Sequence, residues 1–271
     1  MNPTKPSVPK WVTVLAALVP LACPGVRTAG SAEPPAAGES APGTRPAGEP
    51  KPAPPRELSA AELKELLATL SKEMGSIRTL RAAFVQEKHV SLFTEVVKVE
   101  GWTFFSRPDC VRLEMTAPFR SALIAQGKSV AKYEFADGQW QKLKLQSPDV
   151  VLKVTGQIAA WLQGQLDKEG IYTVSALAAA DGQVSVVLVP KAEELRKYIS
   201  ATELGLSADR KRLVSVTIRE PGGDFTRMTF SAEERDVELP KEIFSTSGPA
   251  PTDLGSLTEA RASPAKPEDS P

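Results

Sequence analysis

The period of the apolar residues changes near residue 80, and that change constrains the fold more than any other feature. Before it, Leu63, Leu66, Leu67, Leu70, Met74 and Ile77 recur at spacings of one, three and four, which gathers them on one face of a helix. Ser59, followed three residues later by Glu62, supplies a capping box at the start of that helix. After residue 80 the apolar positions follow the period of two expected of strands. Segments 80–90, 96–105, 111–115, 122–126, 130–135 and 140–145 read as short strands, and 172–177, 184–189, 214–219 and 226–230 follow. Asp137-Gly138 and Asp181-Gly182 are hairpin turns by type, and Pro221-Gly222-Gly223 marks a third. Turns this tight join antiparallel neighbours, so the pattern predicts a long meander.

One segment interrupts the strands. In 150–166 the residues Val151, Val154, Ile158, Trp161 and Leu162 return to helical spacing, which predicts a second amphipathic helix inserted midway through the sheet. A large twisted sheet with an uncovered apolar face would aggregate, and two helices laid across that face would cover it. The interior so formed is either a plain core or a ligand cavity, and periodicity does not separate the two.

Composition sets the limits of this domain. The 24 prolines crowd into residues 24–55 and the tail beyond 247, leaving 57–247 as one domain of ordinary size. Segments 33–56 and 248–271 lack apolar periodicity and are expected to be disordered, the first as an extended tether. At the N-terminus, Lys5 and Lys10 precede an apolar run over 11–21, the layout of an export signal and too short for a permanent span. Its end has two readings. Cleavage after Ala32 gives a signal peptide of 1–32, whereas Leu21-Ala22-Cys23 read as a lipobox gives 1–22 with Cys23 lipidated. Either way Cys23 has no pairing with Cys110, which is left as a lone, inert thiol.

Lys+Arg and Asp+Glu balance at 33 each, so no field favours nucleic acid. His89 is the only histidine, and near it stands no Ser or Cys nucleophile with an evident orienting acid. Asp109, Asp137 and Asp181 occupy turns, and Gly222-Gly223 is a hairpin rather than a phosphate cradle. The runs 191–197 and 233–236 read as a solvated loop or helical turn and a solvated edge. The expectation is a binding protein with no catalytic residue, no metal and no cofactor.

Phe84-Val85-Gln86 on the first long strand, then Gly101 followed by Arg107-Pro108, stand in an order that resembles the outer-membrane lipoprotein carrier (LolA) family. The likeness continues through Arg112-Leu113-Glu114-Met115, Pro118, Gln126-Gly127 and Tyr133, and resumes at Val189-Pro190-Lys191 and 228–230 before Phe244. It departs at Thr103 and Leu113, where the family carries an apolar residue and an aromatic, and at Gln126-Gly127, where the family has Asp-Gly. The resemblance implies an α+β, mostly β fold: an incomplete, strongly curved antiparallel half-barrel with a helical lid over an apolar cavity. By the same resemblance Phe84, Phe105, Leu113, Met115, Tyr133, Ile158, Trp161, Leu162, Met228 and Phe230 line the cavity. Arg107 gates the lid, since its fork of five donors can hold several lid carbonyls; otherwise it covers apolar surface. The implied role is a periplasmic, monomeric carrier of a lipoprotein or other acylated lipid, working with an inner-membrane release complex or an outer-membrane receptor. A lipidated Cys23 would make it an anchored acceptor rather than a shuttle. The alternative function is an envelope sensor or scaffold that uses the same half-barrel to bind a lipid signal or a protein.

Overall fold

The computed structural model describes residues 54–92, 95–167 and 170–249. The export segment, Cys23, most of the tether and nearly all of the C-terminal tail lie outside the described residues.

Helix α1 (Ala60–Gly75) begins as the capping box requires: the Ser59 side chain accepts from the Glu62 amide, and the Glu62 carboxylate accepts from the Ser59 amide. Among the described residues twelve strands form one antiparallel sheet, one before this helix and eleven after it. They are β1 (Arg56–Glu57), β2 (Thr79–His89), β3 (Val97–Ser106), β4 (Cys110–Ala117), β5 (Ser121–Gln126), β6 (Ser129–Ala136), β7 (Gln139–Leu143), β8 (Tyr172–Ala178), β9 (Val184–Pro190), β10 (Ala201–Leu206), β11 (Leu213–Arg219) and β12 (Phe225–Arg235). Helix α2 (Pro148–Leu162) separates β7 from β8, and the single turn α3 (Glu193–Arg196) separates β9 from β10. The expected second helix therefore ends four residues earlier than its apolar pattern, because Gly164 turns to φ +71°.

The strands run in the order β1-β8-β9-β10-β11-β12-β2-β3-β4-β5-β6-β7. Two meanders, β2–β7 and β8–β12, are thus joined by a seam between the last strand and the first long one, from Phe225 opposite His89 to Arg235 opposite Leu80. The terminal strands β1 and β7 are not paired to each other, so the barrel stays open. Asp137 and Gly138 both have positive φ, as a two-residue hairpin of the mirror type requires.

Three departures from the sequence pattern have local causes. Strand β10 was not expected; Glu203 and Gly205 dilute its alternation, although Thr202, Leu204 and Leu206 are all buried. Residue 56 belongs to the domain rather than the tether, since Arg56 pairs with Ala178 and bonds Glu62 at 2.9 Å. Residues 233–235 extend β12 beyond the expected strand; Glu234 and Arg235 pair with β2, but they lie past the register shared with β11, which ends at Thr229, so that side stays an edge. Arg81 holds Glu234 there at 2.7 Å, and Asp236 just beyond accepts from the Arg78 amide at 2.8 Å.

Candidate ligand-binding interior

The period of two sorts each strand's residues onto two faces, and the register fixes which meet. Leu80, Ala82 and Phe84 on β2 lie opposite Phe105, Thr103 and Gly101 on β3, which lie opposite Val111, Leu113 and Met115 on β4. These side chains form the inner face. Helices α1 and α2 lie upon it, and Leu66, Leu70, Met74, Val151, Trp161 and Leu162 join Leu80, Phe105, Leu113 and Leu123 in one apolar cluster.

Of the expected lining residues, Phe105, Leu113, Trp161 and Leu162 are buried in that cluster, with Ile158 and Phe230 packed against it. Phe84 and Met115 form an adjoining inner cluster with Val99, onto which Met228 and Phe230 pack. Tyr133 is a correction. It lies on the opposite, outer face with Ala122, Ile124 and Ala131, because its neighbours Lys132 and Glu134 take the inner positions opposite Leu123 and Ser121. Its hydroxyl donates to the Thr246 carbonyl at 2.8 Å.

The apolar interior is present, and the helices fill it. A gap between Met74, Ile77, Leu80, Ala82, Thr103, Leu162, Leu213 and Phe230 measures about 10 Å³. That is room for one water at most, so an acyl chain would have to displace helical side chains.

Phe84 and Gly101 explain each other. A Cβ on Gly101 would stand 2.6 Å from the Phe84 ring and 2.2 Å from the Glu114 carbonyl. The glycine lets the aromatic ring lie flat across the neighbouring strand, as rings do over sheet glycines.

The turn between β3 and β4 ties down both helices. Arg107 Nε donates to the Ile77 carbonyl at 2.6 Å, and a terminal nitrogen donates to the Gly75 carbonyl. These are carbonyls at the C-terminal end of α1, where backbone acceptors lack helical partners and a cation is favoured. The carbonyl of Pro108 accepts from the Gln163 side chain at 3.0 Å, just past the end of α2. The turn after α2 also packs directly on α1, since a Cβ on Gly164 would meet the Leu70 carbonyl at 2.5 Å. Arg107-Pro108 is therefore one corner holding the ends of both.

Two charged groups escaped the sequence reading. Arg112 and Glu114 are both fully buried and paired at 2.7 Å on the outer face, with Arg120 on the second carboxylate oxygen at 3.1 Å. The 3-10 turn Lys241–Phe244 covers them, and its Ile243 carbonyl accepts from Arg112 at 2.9 Å. Burial pushes the Arg112 guanidinium down, and Glu114 opposes that shift. Lys132 faces inward opposite Leu123 and Leu143; burial pushes its ammonium down too, against the pull of Glu134. Cys110 is half-buried, with its thiol held above the ordinary value by burial and by Asp109.

An unclosed antiparallel sheet whose inner face is roofed by two helices, pinned at one corner, defines a lidded half-barrel. Residues 75–247 match the family described as outer membrane lipoprotein carrier protein LolA, and the chain belongs to that family. A similar protein, the outer-membrane lipoprotein carrier protein of Methylococcus capsulatus, is 26% identical over 191 residues, covering 68% of this chain and 85% of the relative. The protein of the same description from Methylibium petroleiphilum is 27% identical over 199 residues, covering 70% and 89%. Among solved structures, a LolA superfamily protein from Nitrosomonas europaea aligns with 68% of this chain and 97% of its own at 12% identity and a TM-score of 0.36.

Proposed function

We propose that this protein is a periplasmic binding protein, not an enzyme, that carries or accepts the acyl chains of lipoproteins in the space now filled by its two helices. The observation that carries the reading is the corner at Arg107-Pro108, which holds both helices by their ends over a largely apolar face. The descriptions of its relatives as lipoprotein carriers support the cargo class.

The energetics are balanced enough for exchange. Burying one sixteen-carbon chain contributes about 12 kcal/mol at roughly 0.8 kcal/mol per methylene. Six large helix side chains contribute roughly 1.5–3 kcal/mol each when fully buried, a total of the same order. Cargo can thus replace the helices on the inner face at small net cost, and the hydrogen bonds of Arg107 set how often the helices lift. Whether the protein shuttles or waits at a membrane turns on Cys23. Metabolic palmitate labelling of the parent and Cys23→Ala separates the two.

The direct test is exchange of a fluorescent acyl probe into the purified exported chain. Entry of the probe with quenching of Trp161 is expected. Arg107→Ala should speed entry about tenfold, from the loss of charge-assisted bonds worth roughly 1.5–3 kcal/mol. Arg107→Lys should fall between the two. An interior that admits no probe even in Arg107→Ala would overturn the reading.

A further inference from the structure

Among the described residues five large apolar side chains stand exposed, namely Leu92, Val96, Val97, Phe135 and Ile171, with Leu92 88% open to solvent. They come from three separate segments, yet the register puts all five at one rim of the sheet. Val97 opens β3 opposite Lys88, and the neighbouring His89 pairs with Phe225, which pairs with Arg219. Ala201 pairs with Arg219 at that same end, and β9 follows with Leu188 opposite Thr202. Pro190 pairs with Tyr172, and the Ile171 carbonyl accepts from the Lys191 amide at 2.9 Å. Across the other half, Glu100 pairs with Ala117, Ser121 with Glu134, and the Phe135 amide donates to the Arg120 carbonyl at 2.9 Å. The helix-holding corner at Arg107 stands at the opposite rim, a ten-residue strand away, or about 33 Å.

The same rim carries cations over aromatic rings. The Arg120 guanidinium lies 5.3 Å from the Phe135 ring and 5.2 Å from Trp140. Arg219 and Arg227 lie 5.6 and 5.7 Å from Phe225, on which His89 stacks at 4.2 Å. An open groove of about 250 Å³ lined by His89, Val96 and Phe225 faces out beside them.

We propose that this rim is a peripheral contact for the surface of a lipid bilayer. Its aliphatic side chains would enter the acyl boundary while the arginine–aromatic groups sit at headgroup depth, where amphipathic rings and snorkelling cations are favoured. A protein partner fits less well. The apolar residues are spread along the rim from β6 to β8, whereas a protein interface is built around a contiguous packed centre. Three of the rim's cations are already paired, Lys88 with Glu220 at 3.0 Å, Arg219 with Glu203 and Arg120 with Glu114, so the attraction is chiefly apolar and does not require anionic lipid. No helix among the described residues is long and apolar enough to cross a membrane. The inference stands on the rim alone and does not rest on the cargo.

The test floats the full chain with phosphatidylcholine vesicles at about 0.15 M and about 1 M salt. Cys23→Ser is present throughout, so that every variant shares the same unlipidated N-terminus. Leu92→Glu/Val96→Glu should lower the bound-to-free ratio about tenfold at both salt concentrations, with the melting temperature unchanged. The opposite-rim control Gln126→Glu/Lys128→Glu should bind as the parent does. Equal binding of the Leu92/Val96 variant and the parent would overturn the proposal and leave a protein as the rim's partner. Binding confined to anionic vesicles and lost at high salt would also overturn it.

Discussion

At the scale of single residues, the structure turns two features of the sequence into physical constraints. Gly101 is one. Any side chain there collides with the Glu114 carbonyl at 2.2 Å and with the Phe84 ring. Gly101→Ala should therefore destabilise the protein by about 3 kcal/mol, the cost of overpacking against a backbone atom, read as a lower urea midpoint at unchanged slope. The other is the pair of charges at Arg112 and Glu114, both with 0% exposure. Glu114→Gln would leave two arginines without their carboxylate and should cost about 3–5 kcal/mol, while Arg112→Met/Glu114→Leu should cost clearly less. A double variant as unstable as the single one would show that the covering 3-10 turn needs the charges themselves. The motif Arg112-Leu113-Glu114-Met115 was visible in the sequence, but nothing in an alternating strand says that its polar face would be buried. Only the returning segment at Lys241–Phe244 makes it so.

At the scale of elements, local chemistry proved the most legible. The capping box at Ser59 and Glu62 is formed as its spacing implies. The Arg56 hydrogen bond, followed by those from Ser59, lowers the Glu62 carboxyl from 4.5 to about 2. A depressed carboxyl stabilises the folded state above its unfolded value and loses that contribution as pH falls through the folded one. The stability difference between the parent and Glu62→Gln should accordingly shrink from pH 4.5 down to about 2, seen as converging melting temperatures. Ser59→Ala at neutral pH should cost about 1 kcal/mol. Strand β10 and the seam strand β12 were less legible. Their polar residues read as solvent-facing, and only the neighbouring strands show that one side of each is covered.

At the scale of the whole molecule, the sheet and its roof differ in how they are held. The sheet is one continuous ladder through the β12–β2 seam, whereas the helices rest on apolar contact and the corner at Arg107-Pro108. Loading an acyl ligand should therefore speed amide exchange in α1 and α2 and leave β2–β5 protected. Uniform protection across helices and sheet would mean that the roof does not lift.

The sequence by itself determined the strand and helix periods, the first cap, the tight turns and the family, because these depend on neighbours a few residues apart. It also placed most of the apolar residues of the inner face, since a period of two assigns faces once one residue is anchored. Only the tertiary structure decided which face is which, and Tyr133 fell on the outer one because register counts from the partner strand. It alone joined β12 to β2 across the whole chain and brought Arg107 to the end of α1. It alone gathered the exposed apolar residues at a single rim. Each of these rests on contacts between residues far apart in sequence, which no local pattern records.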